Sequence, residues 1–315
     1  MAIPNTVTLH QLWRLRYRER RYLEHVTQDD LSERMRDIVC NLTILTDEGK
    51  IGLIGPEGVG ATWFETATHV LEEYTLRGKS APPGAMKGAS LPKPTWPQSP
   101  RAEALLKDAK FDPARHMVKF GKAKHLKDAP AGRWRIAPAS SYSDPSLDPA
   151  RHDHELRRTV YGLPNEVEIT IPNEQTGEPI AKTHPIGNVT VTQESLTDYY
   201  VMCLSRSLSL RLFDDFNQSD ACVIIRDIGE FARRIFAAFR KLLPDWDGTL
   251  RDVVYYDPFN APRNRDLFYS KHFRYAYQTE VRFVWTPHEP RFDLKFHDLE
   301  AGPMTDICDF LALPE

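Results

Sequence analysis

Cysteine is scarce in this chain, since only four of its 315 residues are cysteines and these lie far apart. Their positions are Cys40, Cys203, Cys222 and Cys308. No two of them have Cys-x-x-Cys spacing, which argues against a zinc ribbon and against a thioredoxin-type redox site. A chain of this length buries enough surface to fold without a disulfide or a structural metal.

Long apolar runs and an excess of one charge are absent as well. No stretch reaches 18 apolar residues, and residues 1–21 lack the apolar core of a signal peptide. We therefore expect a soluble protein of the reducing cytoplasm that does not associate with membranes. The formal net charge is −3, from 41 basic and 44 acidic residues, so nucleic-acid binding would need a local basic patch.

The fingerprints of several enzyme classes are missing. No Gly-x-Ser-x-Gly elbow is present, so nothing supports a serine hydrolase. Residues 55–62 have the glycine spacing of a phosphate-binding loop, but Ala61 stands where that loop carries lysine, which favours a glycine-rich turn before a helix. His152 and His154 would share a face only in a strand, and no second ligand cluster accompanies them. We expect a charged turn there and no metal.

Proline is concentrated in one stretch, which divides the chain. Residues 79–100 contain Pro82, Pro83, Pro92, Pro94, Pro97 and Pro100. Because proline lacks an N–H and fixes φ, this density predicts extended surface chain. We therefore predict a mainly helical N-terminal region over residues 1–78, a proline-rich linker over 79–110 and a second domain over 111–315.

Arginine alternates with aromatic and apolar residues near the N-terminus. The arginines are Arg14, Arg16, Arg18, Arg20 and Arg21. Such a mixture can bind nucleic acid. The alternative is an amphipathic element that packs on its own domain and forms ion pairs with Glu19 and Glu24.

The patterning of the second domain predicts mostly strands. We expect strands over residues 116–122, 132–139, 166–171, 188–193, 198–207, 220–227, 250–257 and 271–285, with an amphipathic helix over 230–243. Strands and helices do not alternate as they do in a βαβ series. This favours an α+β fold with mixed or antiparallel sheets.

Residues 278–282 are the most informative short run. In a strand, Gln278, Glu280 and Arg282 would project to one face, and Thr279 and Val281 to the other. Three polar side chains on one face can line a polar cleft. The alternative is the solvated face of an edge strand.

Residues 116–285 resemble a bacterial domain family, mostly of unassigned function, that is related to the ADP-ribosyltransferases. The resemblance rests on short runs in the family's order, namely Lys119–Lys122, Gly132–Ala139 with Tyr142–Pro145, Val201–Ser205, Val253–Tyr256 and Lys271–Arg282. It covers just over half of the chain. It implies an ADP-ribosyltransferase-like α+β fold, in which split β-sheets enclose a cleft.

ADP-ribosyltransferases break the nicotinamide glycosidic bond of NAD and transfer ADP-ribose to an acceptor through an oxocarbenium-like transition state. The resemblance implies that Glu280 stabilises this charge and that Gln278 contacts the acceptor. It implies an NAD pocket formed by Lys119, Phe120, Gly121, Tyr142, Ser205 and Ser207. In that pocket the Gly121 backbone would contact the nicotinamide amide, and Tyr142 would stack on the ring.

Two positions depart from the superfamily pattern. Phe120 stands where His or Arg usually precedes the glycine, and Arg206 stands where the serine motif usually has Thr. Either change fits an altered NAD geometry or an inactive relative. The resemblance thus predicts an NAD-dependent enzyme, such as a bacterial toxin or phage-defence effector with an antitoxin partner, acting on nucleic acid or protein. The alternatives are an inactive ligand-binding module of the same fold and an NAD glycohydrolase.

Overall fold

A computed structural model of the protein describes residues 7–46, 49–81, 87, 89, 91, 98–216, 219–260 and 266–313. The α-helices in chain order are α1 Leu9–Arg20, α2 Gln28–Leu42, α3 Val59–Leu76, α4 Gln98–Asp108, α5 Ala123–Leu126, α6 Leu210–Asp215 and α7 Ile228–Leu242. The first nine β-strands are β1 Thr43–Leu45, β2 Ile51–Leu53, β3 Met117–Gly121, β4 Arg133–Pro138, β5 Arg157–Gly162, β6 Ile169–Pro172, β7 Pro179–Thr183, β8 Val189–Glu194 and β9 Tyr200–Ser205. They are followed by β10 Ala221–Ile225, β11 Trp246–Asp252, β12 Val254–Tyr256, β13 Ser270–His272, β14 Glu280–Pro287, β15 His297–Glu300 and β16 Cys308–Ala312. Short 3₁₀ helices span Ala139–Ser143, Pro164–Glu166, Leu267–Tyr269 and Phe273–Gln278.

The described part of residues 1–78 is mainly helical, as predicted. Thr8 and Thr27 cap α1 and α2, since each side chain accepts a hydrogen bond from a backbone amide of the first turn. The glycine-rich turn before α3 is also confirmed, because the helix begins at Val59. Gly78 follows α3 with φ at 63°, a left-handed conformation in which glycine is not strained. Among the described helices, none is long and apolar enough to cross a membrane.

The N-terminal helices share a hydrophobic core with the second predicted domain. Tyr17, Leu31 and Val70 of α1, α2 and α3 belong to the same buried cluster as Leu163 and Phe273. Arg34 of α2, which is buried, adds an ion pair to this contact, at 2.5 Å from the half-buried Asp257. The helices therefore cover one side of the larger domain.

The N-terminal arginines bind carboxylates of their own chain. The pairs are Arg14–Glu72, Arg16–Glu65, Arg18–Glu72, Arg20–Glu166, Arg21–Glu73 and Arg21–Glu24. Glu72 and Glu73 are fully buried, and a buried carboxylate needs such cations. The arginine run therefore packs on its own domain, with α3 supplying most partners; Glu19 takes no part in these pairs.

The predicted linker over 79–110 ends in a helix. Most of its prolines lie outside the described residues. Helix α4 begins at Gln98 and holds Pro100 in its first turn, where the missing N–H costs nothing because first-turn amides have no partner within the helix. The extended chain predicted for residues 79–100 therefore does not include residues 98–100, which belong to α4.

The main sheet is antiparallel and lies at the centre of the larger domain. Its strand order is β11-β14-β9-β3-β10-β16. All five residues of β10 are buried, which agrees with the fully apolar run in the sequence. Helix α7 packs on the sheet through Phe231, Ile235 and Phe239.

Smaller sheets surround the main one. The pairs β1–β2, β5–β8 and β6–β7 are antiparallel, and β12–β13 is parallel. The fold is therefore mixed α+β with several antiparallel sheets, which confirms the fold class at this level.

The main sheet divides at β9. On one edge β9 pairs along its length with β14. On the other edge it pairs with β4 through Tyr200 and Val201, and with β3 only at Ser205. Strands β3 and β4 thus diverge, and a gap opens between them beside the middle of β9.

The strand predicted over residues 271–285 is interrupted. Residues Phe273–Gln278 form a 3₁₀ helix between β13 and β14, and Thr279 has φ at 43°, in the left-handed region. Gln278 therefore does not lie on the strand that carries Glu280, contrary to the prediction. The strand predicted over 250–257 is likewise divided into β11 and β12 at Val253.

Candidate functional site

The gap between β3 and β4 forms a small cavity of about 80 Å³. Residues from distant parts of the chain line it, including Lys119, Phe120, Tyr142, Arg151, Cys203, Ser205, Lys271, Gln278 and Glu280. Six of the eight residues proposed from the sequence are in this set. The two others, Gly121 and Ser207, are not. We call this cavity the sheet cleft.

Glu280 is the first residue of β14 and is buried between two cations. Its Oε2 accepts a hydrogen bond of 2.7 Å from Lys271 Nζ, and its Oε1 accepts one of 2.8 Å from Arg282 Nε. Burial opposes ionisation, but these two cations hold the pKa of Glu280 well below its usual range. The carboxyl is therefore an anion at neutral pH. Its backbone N–H donates to the Tyr255 hydroxyl at 2.7 Å, which fixes the start of the strand.

Arg282 connects Glu280 to a second buried carboxylate. Its Nη1 and Nη2 donate to Glu155 at 2.7 and 2.9 Å, and Nη1 also donates to the Phe268 carbonyl at 2.9 Å. Burial raises the pKa of Glu155, against the attraction of Arg282. Two carboxyls and two cations, Lys271 and Arg282, thus form one buried network. Such a network is costly to bury unless every member has partners.

Lys119 lies on β3 and spans the gap. Its Nζ donates to the carbonyl of Cys203 at 2.8 Å. In the described part of the chain, no carboxylate lies within 4.0 Å of this ammonium, and burial lowers the pKa of Lys119. Arg151 lies near the same cavity and pairs with Asp148 at 3.4 Å. The cleft therefore has a cation without a paired counter-ion.

Tyr142 enters the cleft from the 3₁₀ helix that follows β4. Its ring packs near Tyr199, Val201 and Cys203, and burial raises its pKa well above the usual value. Tyr142 and Glu280 thus line the same cavity, as proposed from the sequence.

Gln278 reaches the cleft although it is not in a strand. Its Nε2 donates to the Ala150 carbonyl at 2.8 Å, and its Oε1 lies 3.3 Å from Lys271 Nζ. Ser205 holds this turn in place, since its hydroxyl donates to the Gln278 carbonyl at 2.7 Å. The role of Ser205 in the geometry is thus to join β9 to Gln278, two residues before Glu280.

The remaining predicted residues contribute differently. Phe120 is buried and its ring meets the edge of Phe213 at a centroid distance of 4.8 Å, so it forms a wall of the cleft. A side chain at Gly121 would meet Leu126 and not the cavity. Ser207 donates its backbone N–H to the Ser205 hydroxyl at 2.9 Å.

Glu155, Lys271 and Arg151 belong to the site but were not predicted from the sequence. Glu155 follows His154 in the run that the sequence predicts to be a charged, exposed turn. Residues 152–154 instead have no turn or regular secondary structure, and Glu155 is buried. No spacing rule relates it to Arg282, which is 127 positions away. Within the described residues, no group of three or more His, Cys, Asp and Glu side chains is placed to hold a metal ion.

Comparisons of the chain with protein-family models, with curated proteins and with solved structures find no match.

Proposed function

We propose that this protein cleaves the bond between nicotinamide and ribose in NAD and transfers ADP-ribose to an acceptor. The observation that carries this proposal is the ionised Glu280 carboxylate, buried in a cleft that also holds an aromatic ring and a cation without a paired counter-ion. Each of these groups matches one part of NAD: the reacting ribose, the nicotinamide and the pyrophosphate.

Glu280 would act on the charge that develops during cleavage. As nicotinamide leaves, positive charge builds on the ribose, and a fixed carboxylate stabilises it without reorganisation. Arg282 approaches Glu280 Oε1 with both Nε and Nη2 at 2.8 Å, and Lys271 Nζ donates to Oε2 at 2.7 Å. A carboxylate oxygen has two acceptor positions. The second position on Oε2 is therefore the one we assign to a ribose hydroxyl.

Lys119 and Arg151 would hold the phosphates. An ammonium with no carboxylate beside it is more stable once an anion binds. Tyr142 offers an aromatic surface to the nicotinamide ring. Neither glycine fingerprint nor metal is needed for this mode of binding. Gln278, between Lys271 and the Ala150 carbonyl, is the residue we assign to the acceptor side.

A non-catalytic binding module is the second candidate. The observation in its favour is that both oxygens of Glu280 already have cationic partners, which weakens the field that the carboxylate exerts on a substrate. The acceptor, whether nucleic acid or protein, and an antitoxin partner stay predictions from the resemblance. The N-terminal arginines give the nucleic-acid alternative little support, because they are paired within the chain.

The test is incubation of the full-length protein with NAD labelled in the adenylate half. Released nicotinamide and label on added RNA, DNA or protein are measured separately. Release with transfer supports the transferase and identifies the acceptor class, whereas release without transfer indicates a glycohydrolase. Saturable NAD binding without release supports the binding module. Absence of both binding and release, with every acceptor tried, overturns the proposal.

A further inference from the structure

The sheet cleft is smaller than the ligand proposed for it. Its volume is about 80 Å³, whereas pockets that enclose small molecules measure about 300–1,000 Å³. NAD can therefore enter only if part of the wall moves. Strands β3, β9 and β14 do not provide that part, because each is paired with other strands on both of its edges.

One wall of the cleft lies outside the main sheet. Ala150 and Arg151 line the cavity and belong to the irregular segment that connects the 3₁₀ helix after β4 to β5. They end a compact turn, in which the backbone N–H groups of Arg151 and His152 both donate to the Asp148 carbonyl, at 3.0 and 2.9 Å. The Arg151 side chain is 37% exposed, so it extends from the cavity to solvent. We call residues 148–151 the strap.

Side-chain contacts fasten the strap to other parts of the wall. Arg151 Nη2 donates to the Phe216 carbonyl at 3.1 Å, and the guanidinium lies 5.6 Å from the centre of the Phe216 ring. Gln278 Nε2 donates to the Ala150 carbonyl at 2.8 Å. Phe216 and Gln278 themselves line the cleft. The strap therefore connects the wall after α6 to the wall before β14.

The chain just after the strap is anchored to different elements. The Tyr275 hydroxyl donates to the His152 carbonyl. The Asp153 N–H donates to the Tyr142 carbonyl at 2.9 Å. These contacts fix the end of the strap about which we expect it to turn.

We propose that the strap opens to admit NAD and that phosphate binding to Arg151 favours the open state. The inference rests on the proposed function, because it concerns the same cleft. In the closed state Arg151 donates to the neutral carbonyl of Phe216 and pairs with Asp148 at 3.4 Å. A guanidinium binds a pyrophosphate through paired, charge-assisted hydrogen bonds, which are stronger than a bond to a carbonyl. A ligand shifts an equilibrium by its difference in affinity for the two states, and this exchange of partners provides the difference.

Cys203 reports opening of the cleft independently of NAD cleavage. It is half-buried and lines the cleft, whereas Cys222 and Cys308 are buried in β10 and β16 of the main sheet. Burial raises the pKa of the Cys203 thiol to about 12, so little thiolate forms at neutral pH and alkylation is slow. Opening of the strap exposes this thiol to water and should raise its rate of alkylation.

The experiment is alkylation of the full-length protein with N-ethylmaleimide, without NAD, in which mass spectrometry follows the rate at each cysteine. Arg151→Met keeps the length of the side chain and removes its contacts with Phe216. We expect the Cys203 rate to rise about two- to fivefold, the factor by which one partly exposed cation–π contact shifts an opening equilibrium. Phe216→Ala should have a similar effect. Phe292→Ala, at a phenylalanine that is 63% exposed elsewhere, should have none.

The buried cysteines distinguish opening of the strap from unfolding. Rates at Cys222 and Cys308 should stay unchanged in every variant. A rise at both that equals the rise at Cys203 overturns the proposal, since access then comes from unfolding. An unchanged Cys203 rate in Arg151→Met also overturns it, even if Phe216→Ala raises that rate, because the smaller side chain alone enlarges the cavity.

Nicotinamide release separates this proposal from the proposed function. If the wild type releases nicotinamide, Phe216→Ala should lower the KM for NAD by about the same two- to fivefold, because a larger fraction of the protein is open. No nicotinamide release, with the expected Cys203 rates, rejects the proposed function and leaves the strap as a movable wall. Nicotinamide release with unchanged Cys203 rates rejects the strap and leaves the proposed function standing.

Discussion

Arg282 and Glu155 form a buried ion pair with two hydrogen bonds, 2.7 and 2.9 Å long, across 127 positions of the chain. Strand β14 supplies the arginine, and the segment before β5 supplies the glutamate. The same guanidinium donates to Glu280. Glu155 therefore holds the Arg282 guanidinium, which in turn orients the Glu280 carboxylate. The stability of the domain and the geometry of the sheet cleft both depend on the Arg282–Glu155 ion pair.

Removing Glu155 should destabilise the protein strongly. Glu155→Ala leaves Arg282, which is 0% exposed, with one carboxylate instead of two, and breaking a buried pair costs about 3–5 kcal/mol. Glu194→Ala is the matched control, because Glu194 pairs with Arg157 in solvent and such pairs contribute at most about 1 kcal/mol. Urea unfolding measures both free energies. Equal losses in the two variants would show that the buried network carries no special stability.

Removing the charge of Glu280 should slow NAD cleavage. Glu280→Gln keeps the size of the side chain, and we expect nicotinamide release to fall by at least ~10²-fold, which corresponds to about 2.7 kcal/mol of transition-state stabilisation. NAD binding should weaken far less, because the charge acts mainly in the transition state. The control is Asp252→Asn, an exposed carboxylate paired with Arg206. Release that persists unchanged in folded Glu280→Gln contradicts the assigned role.

Gln278→Ala should affect transfer more than hydrolysis. The side chain binds the Ala150 carbonyl and Lys271, beside Glu280 rather than on its strand. If it positions the acceptor, its loss lowers the ratio of transferred ADP-ribose to released nicotinamide. Gln175→Ala, in an exposed turn, is the control. A ratio equal to that of the wild type, with both products reduced together, assigns Gln278 to the structure of the cleft.

His272 should make the fold less stable in acid. Its pKa is about 3 in the folded protein, against an ordinary value of 6.5, because burial disfavours the charged ring. Below pH 6.5 the unfolded chain binds a proton that the folded chain does not, so stability falls as the pH falls from 6.5 towards 3. Asp37, with a pKa raised to about 6, acts in the opposite direction below pH 6.

Comparison with His272→Gln isolates the histidine contribution. Urea unfolding from pH 7 to pH 5 should show a smaller loss of stability in the variant than in the wild type. If the free energy of unfolding changes equally with pH in the wild type and in His272→Gln, the His272 ring is protonated in the folded state.

Local patterns in the sequence were sufficient for the elements that bury a continuous apolar face. The run at 221–225 is a buried central strand, and the amphipathic run at 230–243 is helix α7, whose apolar face packs on the sheet. These predictions succeed because periodicity along the chain directly reports which side chains leave water.

The run at 271–285 shows where local patterns fail. Its alternation suits a strand, yet Phe273–Gln278 is a 3₁₀ helix. The reason is tertiary: Phe273 packs into the core shared with the N-terminal helices, and Asn41 of α2 binds both the Phe273 carbonyl and the Tyr277 amide. These contacts over more than 200 positions outweigh the local preference for a strand.

The sequence by itself determined the residue types of the cleft and the strand that carries Glu280. Only the tertiary structure decided that Lys271 and Arg282 neutralise that carboxylate, that Glu155 completes the network, and that Gly121 and Ser207 lie outside the cavity. Charged groups interact through distance and burial, and neither quantity is encoded in spacing along the chain. The pKa of Glu280, on which its chemistry depends, is therefore a property of the packed fold.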